Sequence, residues 1–258
     1  NPISLRVEDT IAIITSDSPP VNAISRKVCA GLHAAFLEAK GKNVQAVVLN
    51  CAGRTFFAGA DITEFGGQPY NPNLFDVIDI IENFPAPVIA AIHGTALGGR
   101  LEMALSAHYR VAAKAAKVGL PEVHLGILPG AGGTQRTPRL TGATRALDII
   151  TSGRQVGTKE ALEIGLIDAV VSDENLLADA IAFARDVIAK GGARPKARDK
   201  TEWTLKDRVD KDLVAHFLKA NGAKFRGFKA PQAICEAVQA AIDLPFDEGL
   251  KKENDLFK

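Results

Sequence analysis

Short apolar runs open the chain, and their period changes from two to nearly four and back again. ISLRVEDTIAIITSD reads as two strands turning at Glu8-Asp9, a hairpin. From Arg26, the apolar residues Val28, Leu32 and Phe36 recur four apart up to Gly41, which predicts a helix with a glycine stop. VQAVVLNC (44–51) is an apolar run of strand length, and RTFFAGADI (54–62) is the glycine-containing loop after it. Leu74, Val77, Ile78 and Ile81 stand at i, i+3, i+4 and i+7 of a second helix, which FPAP ends. PVIAAI (87–92) is a strand that leads into GTALGGRLEMAL (94–105), where adjacent glycines give way to a helix-forming run. YRVAA and KVGL are further short strands, and PEVHLGILPGAGG (121–133) is another loop with glycines.

Strands that repeatedly enter glycine turns, with helices between them, predict an α/β fold whose ligand sits at strand ends. After about residue 195 the character changes. GGARPKARDK is basic and glycine-containing, as a linker would be, and the remainder reads as helix. The expected organisation is therefore a core over 1–195 and a helical C-terminal portion over 196–258.

Composition narrows the function classes. The 258 residues, 47% of them hydrophobic, suit one large domain or one domain with a small companion. Thirty-one basic and thirty acidic residues leave a net charge of +1, so neither nucleic acid nor an anionic membrane surface is an expected partner. Cys29, Cys51 and Cys235 lie far apart without metal-ligand spacing, and reduced thiols are expected, with no metal. There is no apolar run of membrane-spanning length and no charged-then-apolar leader, so neither a membrane span nor a signal peptide is expected.

Two acids stand out against this background. Glu102 lies one turn inside an apolar helix, and Glu122 follows the strand KVGL. Each has a plain alternative: Glu102 meeting the positive end of its own helix, Glu122 an exposed acid at a strand end. The glycine clusters have one too, as tight turns. PGAGG lacks the Lys-Ser/Thr of a phosphate loop, and no GxGxxG opens a helix with an acid downstream. Both acids, however, flank glycine turns that leave backbone N–H groups free at helix starts.

FFAGADITEF, HGTALGGRLEMALSAHYRVA and GLPEVHLGILPGAGGTQRTPRLTG together resemble three signatures of the enoyl-CoA hydratase/isomerase (crotonase) family, in order. The likeness runs from PPVNAIS (19–25) to GRQVGTKEALEIGLID (153–168). It implies a ββα spiral core with a C-terminal helical portion, an acyl-CoA thioester as substrate and no further cofactor. It also implies an oxyanion hole made by the N–H groups of Ala60 and Gly99, with Glu102 as principal base and Glu122 as principal acid. Gly130 would help hold the attacking water, and Asp61 and Ile62 would lie in the loop against the CoA. Thr63 stands where many relatives have lysine, so the CoA phosphate would turn to Arg26, Lys27 or a C-terminal lysine.

Two departures from the family pattern raise questions. Arg100 replaces the third glycine beside Gly99. It is strained if that position needs positive φ, and points away if the position is already helical. His108 stands where many relatives have Asp, as in the subgroup whose hydratase is the N-terminal module of a multifunctional β-oxidation enzyme. His108 and His93 are read as structural. KFRGFKAPQAICEAVQAAIDLPFDEGLKKENDLF (224–257) resembles the helical segment that joins such a module to a 3-hydroxyacyl-CoA dehydrogenase domain. With Asn1 first and no helix stop before Lys258, the expectation is a module of a longer polypeptide. Its last helix, with Phe246, Leu250 and Phe257 on one face, should then fray or self-associate. No NAD fingerprint occurs within the chain. The expected reaction is hydration of 2-trans-enoyl-CoA, with Δ3,Δ2-enoyl-CoA isomerisation or acyl-CoA binding without turnover as alternatives. The setting would be bacterial cytoplasm or the peroxisomal matrix. Simple relatives resemble trimers or dimers of trimers, whereas the multifunctional type can fold its own C-terminal helices over the site.

Overall fold

The computed structural model describes residues 1–59, 62–64 and 66–258, with Ile62 described by its backbone only. Strands β1 (Ile3–Glu8) and β2 (Ile11–Ser16) form the expected antiparallel hairpin, with Asp9 taking positive φ at its turn. Helix α1 (Arg26–Gly41) follows, capped by the Ser25 side chain accepting from the Val28 N–H, and leads to β3 (Ala46–Cys51). After a 3-10 turn at Ile62–Glu64, α2 (Leu74–Glu82) starts in a capping box between Asn73 and Asp76.

Two successive strand pairs then feed two sheets. β4 (Val88–Ile92) and β5 (Thr95–Leu97) flank a turn at Gly94 and precede α3 (Gly99–Ser106). β6 (Tyr109–Ala113) and β7 (Lys117–Gly119) precede a 3-10 turn at Pro121–Leu125. Helices α4 (Gly133–Thr141) and α5 (Ala143–Ser152), strand β8 (Val156–Gly157), helix α6 (Thr158–Glu163), strand β9 (Ala169–Val171) and helix α7 (Leu176–Ala189) complete this part. The larger sheet runs β1-β2-β3-β4-β6-β9, parallel from β2 onward, and the smaller runs β5-β7-β8.

Strands β2, β3, β4 and β6 are buried on both faces, which is why they read as nearly continuous apolar runs, while the edge strand β1 alternates with polar residues. On one face Ala12, Ile14, Val47, Leu49, Val88 and Ala90 join the main core with Val28 and Leu32 of α1. On the other, Ile11, Ile13, Val48, Ile89 and Val111 pack against Ala180, Ile181 and Ala184 of α7.

The C-terminal helices are α8 (Glu202–Asp207), α9 (Leu213–Phe225), α10 (Ala230–Asp243) and α11 (Phe246–Phe257). α10 lies against α4 and α5, and its Ile234, Cys235, Val238 and Ile242 belong to the main core. The basic segment before them is tied down: Arg194 donates to the Phe84 carbonyl, Lys196 to Asn83, and Arg198 pairs with Asp247 at 2.8 Å. The expectation that α11 frays needs correction. Phe246 is buried under the guanidinium groups of Arg136, Arg139 and Arg198, all within 5.1 Å of its ring centre, and Glu253 is 1% exposed. Cation–π contacts and a buried acid fix this helix over the core.

Candidate active site

The turn between β5 and α3 lets two carboxylates approach one stretch of backbone. Gly98 has φ 64° and ψ −133°, a conformation that glycine tolerates and other residues resist, and its N–H donates to the Gly119 carbonyl at 2.9 Å. A Cβ at Gly98 would stand 3.0 Å from Glu122 Oε1, and one at Gly99 would stand 4.0 Å from Glu102 Oε2. The missing side chains are therefore the space in which the two acids converge. Gly99 opens α3, so its N–H belongs to the helix's first turn, where N–H groups have no intrahelical acceptor.

Glu102 does not serve its own helix. Its Oε1 accepts from the Ala131 and Gly133 N–H groups, each at 2.9 Å, at the start of α4. It is 3% exposed; burial raises its pKa, opposed by those two N–H groups and by the charge of Arg136. Arg136 is itself held by Glu82, donating from Nε and Nη2 to the two carboxylate oxygens at 2.9 Å each. Glu122 lies in the 3-10 turn, not exposed at a strand end. Burial first, then the neighbouring Glu102 charge, push its pKa up to about 8. Its Oε2 is buried without a protein partner. Both carboxyls are raised by burial; two backbone N–H groups and Arg136 oppose this at Glu102, whereas the Glu102 and Glu253 charges reinforce it at Glu122.

A third acid, which sequence reasoning missed, joins them from α11. Glu253 accepts from the Gly132 N–H through Oε1 at 2.8 Å and from the Thr134 N–H through Oε2 at 3.1 Å. The Thr134 hydroxyl also donates to Oε2. Burial, then the Glu102 charge, push Glu253 up to about 8. A signal existed: Glu253 falls three residues after Leu250 and four before Phe257, inside the apolar stripe of its helix. An acid in an apolar stripe is the same anomaly that marks Glu102.

The other expected residues are placed as follows. Ala60 and Asp61 lie outside the described residues, as does the Ile62 side chain. Gly130 is beside the site, but the Phe257 ring stands over it; a Cβ there would be 2.7 Å from the ring. Arg26 is committed locally: its Nη2 donates to the Gln68 carbonyl at 2.6 Å, and its guanidinium lies 4.7 Å above the Tyr70 ring. Lys27 is exposed. Arg100 is helical without positive φ, and donates to the Leu97 carbonyl and to Thr95 Oγ1 at 3.0 and 3.1 Å. It braces the turn and is not strained. His108 is structural: Nδ1 accepts from the Val88 N–H and Nε2 meets the Glu82 carbonyl, while burial presses its pKa down to about 4. His93 Nε2 meets the Gly53 carbonyl at 2.9 Å. Among the described residues no His, Cys, Asp and Glu cluster could hold a metal, and no helix is long and apolar enough to cross a membrane.

Residues 6–240 match the family described as enoyl-CoA hydratase/isomerase. This chain belongs to that family. The zebrafish (Danio rerio) peroxisomal bifunctional enzyme is 42% identical over 251 residues, 97% of this chain and 34% of that protein. The human protein of the same name is 41% identical over 98% of this chain and 35% of its own length. A probable enoyl-CoA hydratase of Bacillus subtilis is 42% identical over 198 residues, 74% of this chain and 76% of that one. The crystal structure of an enoyl-CoA hydratase from Bacillus anthracis superimposes with a TM-score of 0.69 at 29% identity, covering 100% of this chain and 90% of that one. The fold is therefore that of the family, with the C-terminal helices added to the sheet core. The chain spans about a third of the length of the bifunctional relatives it matches.

Proposed function

We propose that this chain is an enoyl-CoA hydratase of fatty-acid β-oxidation, converting 2-trans-enoyl-CoA and water to 3-hydroxyacyl-CoA. The observation that carries the reading is the pair of acids at Gly98–Gly99. Glu102 is anchored by two N–H groups, and Glu122 is raised to about 8 with one oxygen free of protein partners. Water oxygen bonds to C3 while its proton passes to Glu102. Electrons of the C2=C3 bond move toward the thioester oxygen, and Glu122 delivers a proton to C2. The Gly99 N–H, with that of Ala60, would meet the charge on the thioester oxygen, and one such donor contributes roughly 3–4 kcal/mol. Glu102 and Glu122 have this division of labour because their surroundings differ.

A cavity of about 610 Å³ begins at Val123 and His124, next in sequence to Glu122, and its lining of Phe217, Phe225 and Phe228, mixed with the polar Asp148 and Lys224, would take an acyl tail along its apolar side. The chemistry consumes only the thioester and water, so no cofactor enters it. Because the larger relatives are named bifunctional and multifunctional, a 3-hydroxyacyl-CoA dehydrogenase domain in the same polypeptide is part of the proposal. So is a peroxisomal or bacterial setting.

A second reading, Δ3,Δ2-enoyl-CoA isomerisation, needs no water, and the Phe257 ring over Gly130 is the observation that favours it. Mixing the chain with crotonyl-CoA and following the conjugated thioester absorbance, with product analysis for 3-hydroxyacyl-CoA, tests the first reading. A chain that leaves crotonyl-CoA untouched yet converts a 3-enoyl-CoA supports the second.

A further inference from the structure

Four consecutive N–H groups at the start of α4 are claimed alternately by two buried carboxylates. Ala131 and Gly133 donate to Glu102, while Gly132 and Thr134 donate to Glu253. Resting on the hydratase reading above, we propose that Glu253 is a positioning residue for Glu102: by holding the second and fourth N–H groups from α11, it fixes the first and third on the catalytic carboxylate. Gly132 makes the alternation possible, since its φ of 95° turns successive N–H groups to opposite sides. Neither acid has slack. A Cβ at Gly133 would stand 2.8 Å from Glu102 Oε1, and Gly249 packs α11 against Gln135, whose amide donates to Thr134 Oγ1 at 3.0 Å.

The charges around Glu253 give this role a signature. Glu102 faces it from α3 and Glu122 from the 3-10 turn, both acidic. Glu82 and Asp79 of α2, Arg136 of α4 and Arg198 line the cavity beside it, with Asp247 and Lys251 from α11 itself. The charges of Glu102 and Glu253 both raise Glu122, so removing the Glu253 carboxylate lowers the pKa of Glu122. A helix-docking residue alone would change stability without moving it.

The test is Glu253→Gln and Glu253→Asp in the 258-residue chain, with kcat and KM for crotonyl-CoA measured across pH. Glutamine keeps the shape but turns an amide N–H₂ toward one set of donors. It should lower kcat on the order of 10- to 100-fold with KM nearly unchanged, and shift the alkaline limb of the pH profile, which Glu122 sets, to lower pH. Aspartate retains the ionisable carboxyl, so that limb should stay in place while kcat falls. Amide hydrogen exchange at Ala131 and Gly133 gives a readout independent of turnover and should quicken in both variants. If glutamine prevents folding, the aspartate variant decides by kcat and exchange. A parental alkaline limb and parental exchange in Glu253→Gln, or parental kcat and exchange in Glu253→Asp, overturn the proposal. A parent chain without hydratase activity removes the hydratase reading, and exchange at Ala131 and Gly133 then decides the positioning claim alone.

Discussion

Arg136 grips Glu82 through two parallel hydrogen bonds of 2.9 Å, with both side chains 3% exposed. The pair ties the end of α2 to α4, the helix whose first N–H groups hold Glu102. Its worth is best judged by breakage, because a lone buried charge costs far more than the pair gains. Glu82→Gln should destabilise the chain by about 3–5 kcal/mol, read from urea unfolding. A loss under about 1 kcal/mol would place the pair among weak surface bridges instead.

Glu102→Gln and Glu122→Gln should each lower kcat for hydration by at least about 10²-fold, the scale of positioned acid–base groups. KM should change much less, because the proposed oxyanion donors are backbone groups. Turnover near the parental rate in either variant removes that acid from the mechanism.

Arg100 now carries the opposite expectation from that of a strained residue. Replacing it with glycine removes bonds to the Leu97 carbonyl and Thr95 Oγ1, and places a poor helix former in the first turn of α3. Arg100→Gly should therefore destabilise by about 1–2 kcal/mol and reduce hydration, with Arg100→Lys intermediate. A more active glycine variant would show that the arginine crowds the cleft after all.

The sheet, the first two helices and the two acids were legible because each leaves a local mark. Val28, Leu32 and Phe36 carry a helical period, and Glu102 interrupts an apolar one. What Glu102 touches was not legible. Its own helix start was the nearest candidate, yet its partners are twenty-nine and thirty-one residues away, at Ala131 and Gly133. Glu253 was harder still, 119 residues from Thr134 in a segment whose many charges read as solvated surface. The basic run before α8 misled for a related reason: composition alone does not distinguish a solvated linker from cations laid on the end of α2. Long-range polar pairing leaves no period to read.

The folded chain should lose stability as pH rises from 6.5 to 8. Burial and the Glu102 charge raise Glu122 and Glu253 from 4.5 to about 8. An unfolded chain has both acids ionised throughout that window, so the folded state binds more protons. The stabilisation from these raised pKa values is complete below the ordinary glutamate value and disappears as pH climbs through about 8. His108 acts with the opposite sign and at lower pH. Depressed from 6.5 to about 4, it contributes stability that is present above 6.5 and lost as pH falls toward 4. It therefore adds little slope in the window where the carboxylates act. Urea unfolding at intervals between those limits should show a decline on the order of 1 kcal/mol per pH unit for each acid that titrates. Glu253→Gln should make the decline shallower, because the amide cannot ionise. A flat profile in the parent chain would mean that both acids are already charged at pH 6.5, and with them would go the assignment of Glu122 as the proton donor.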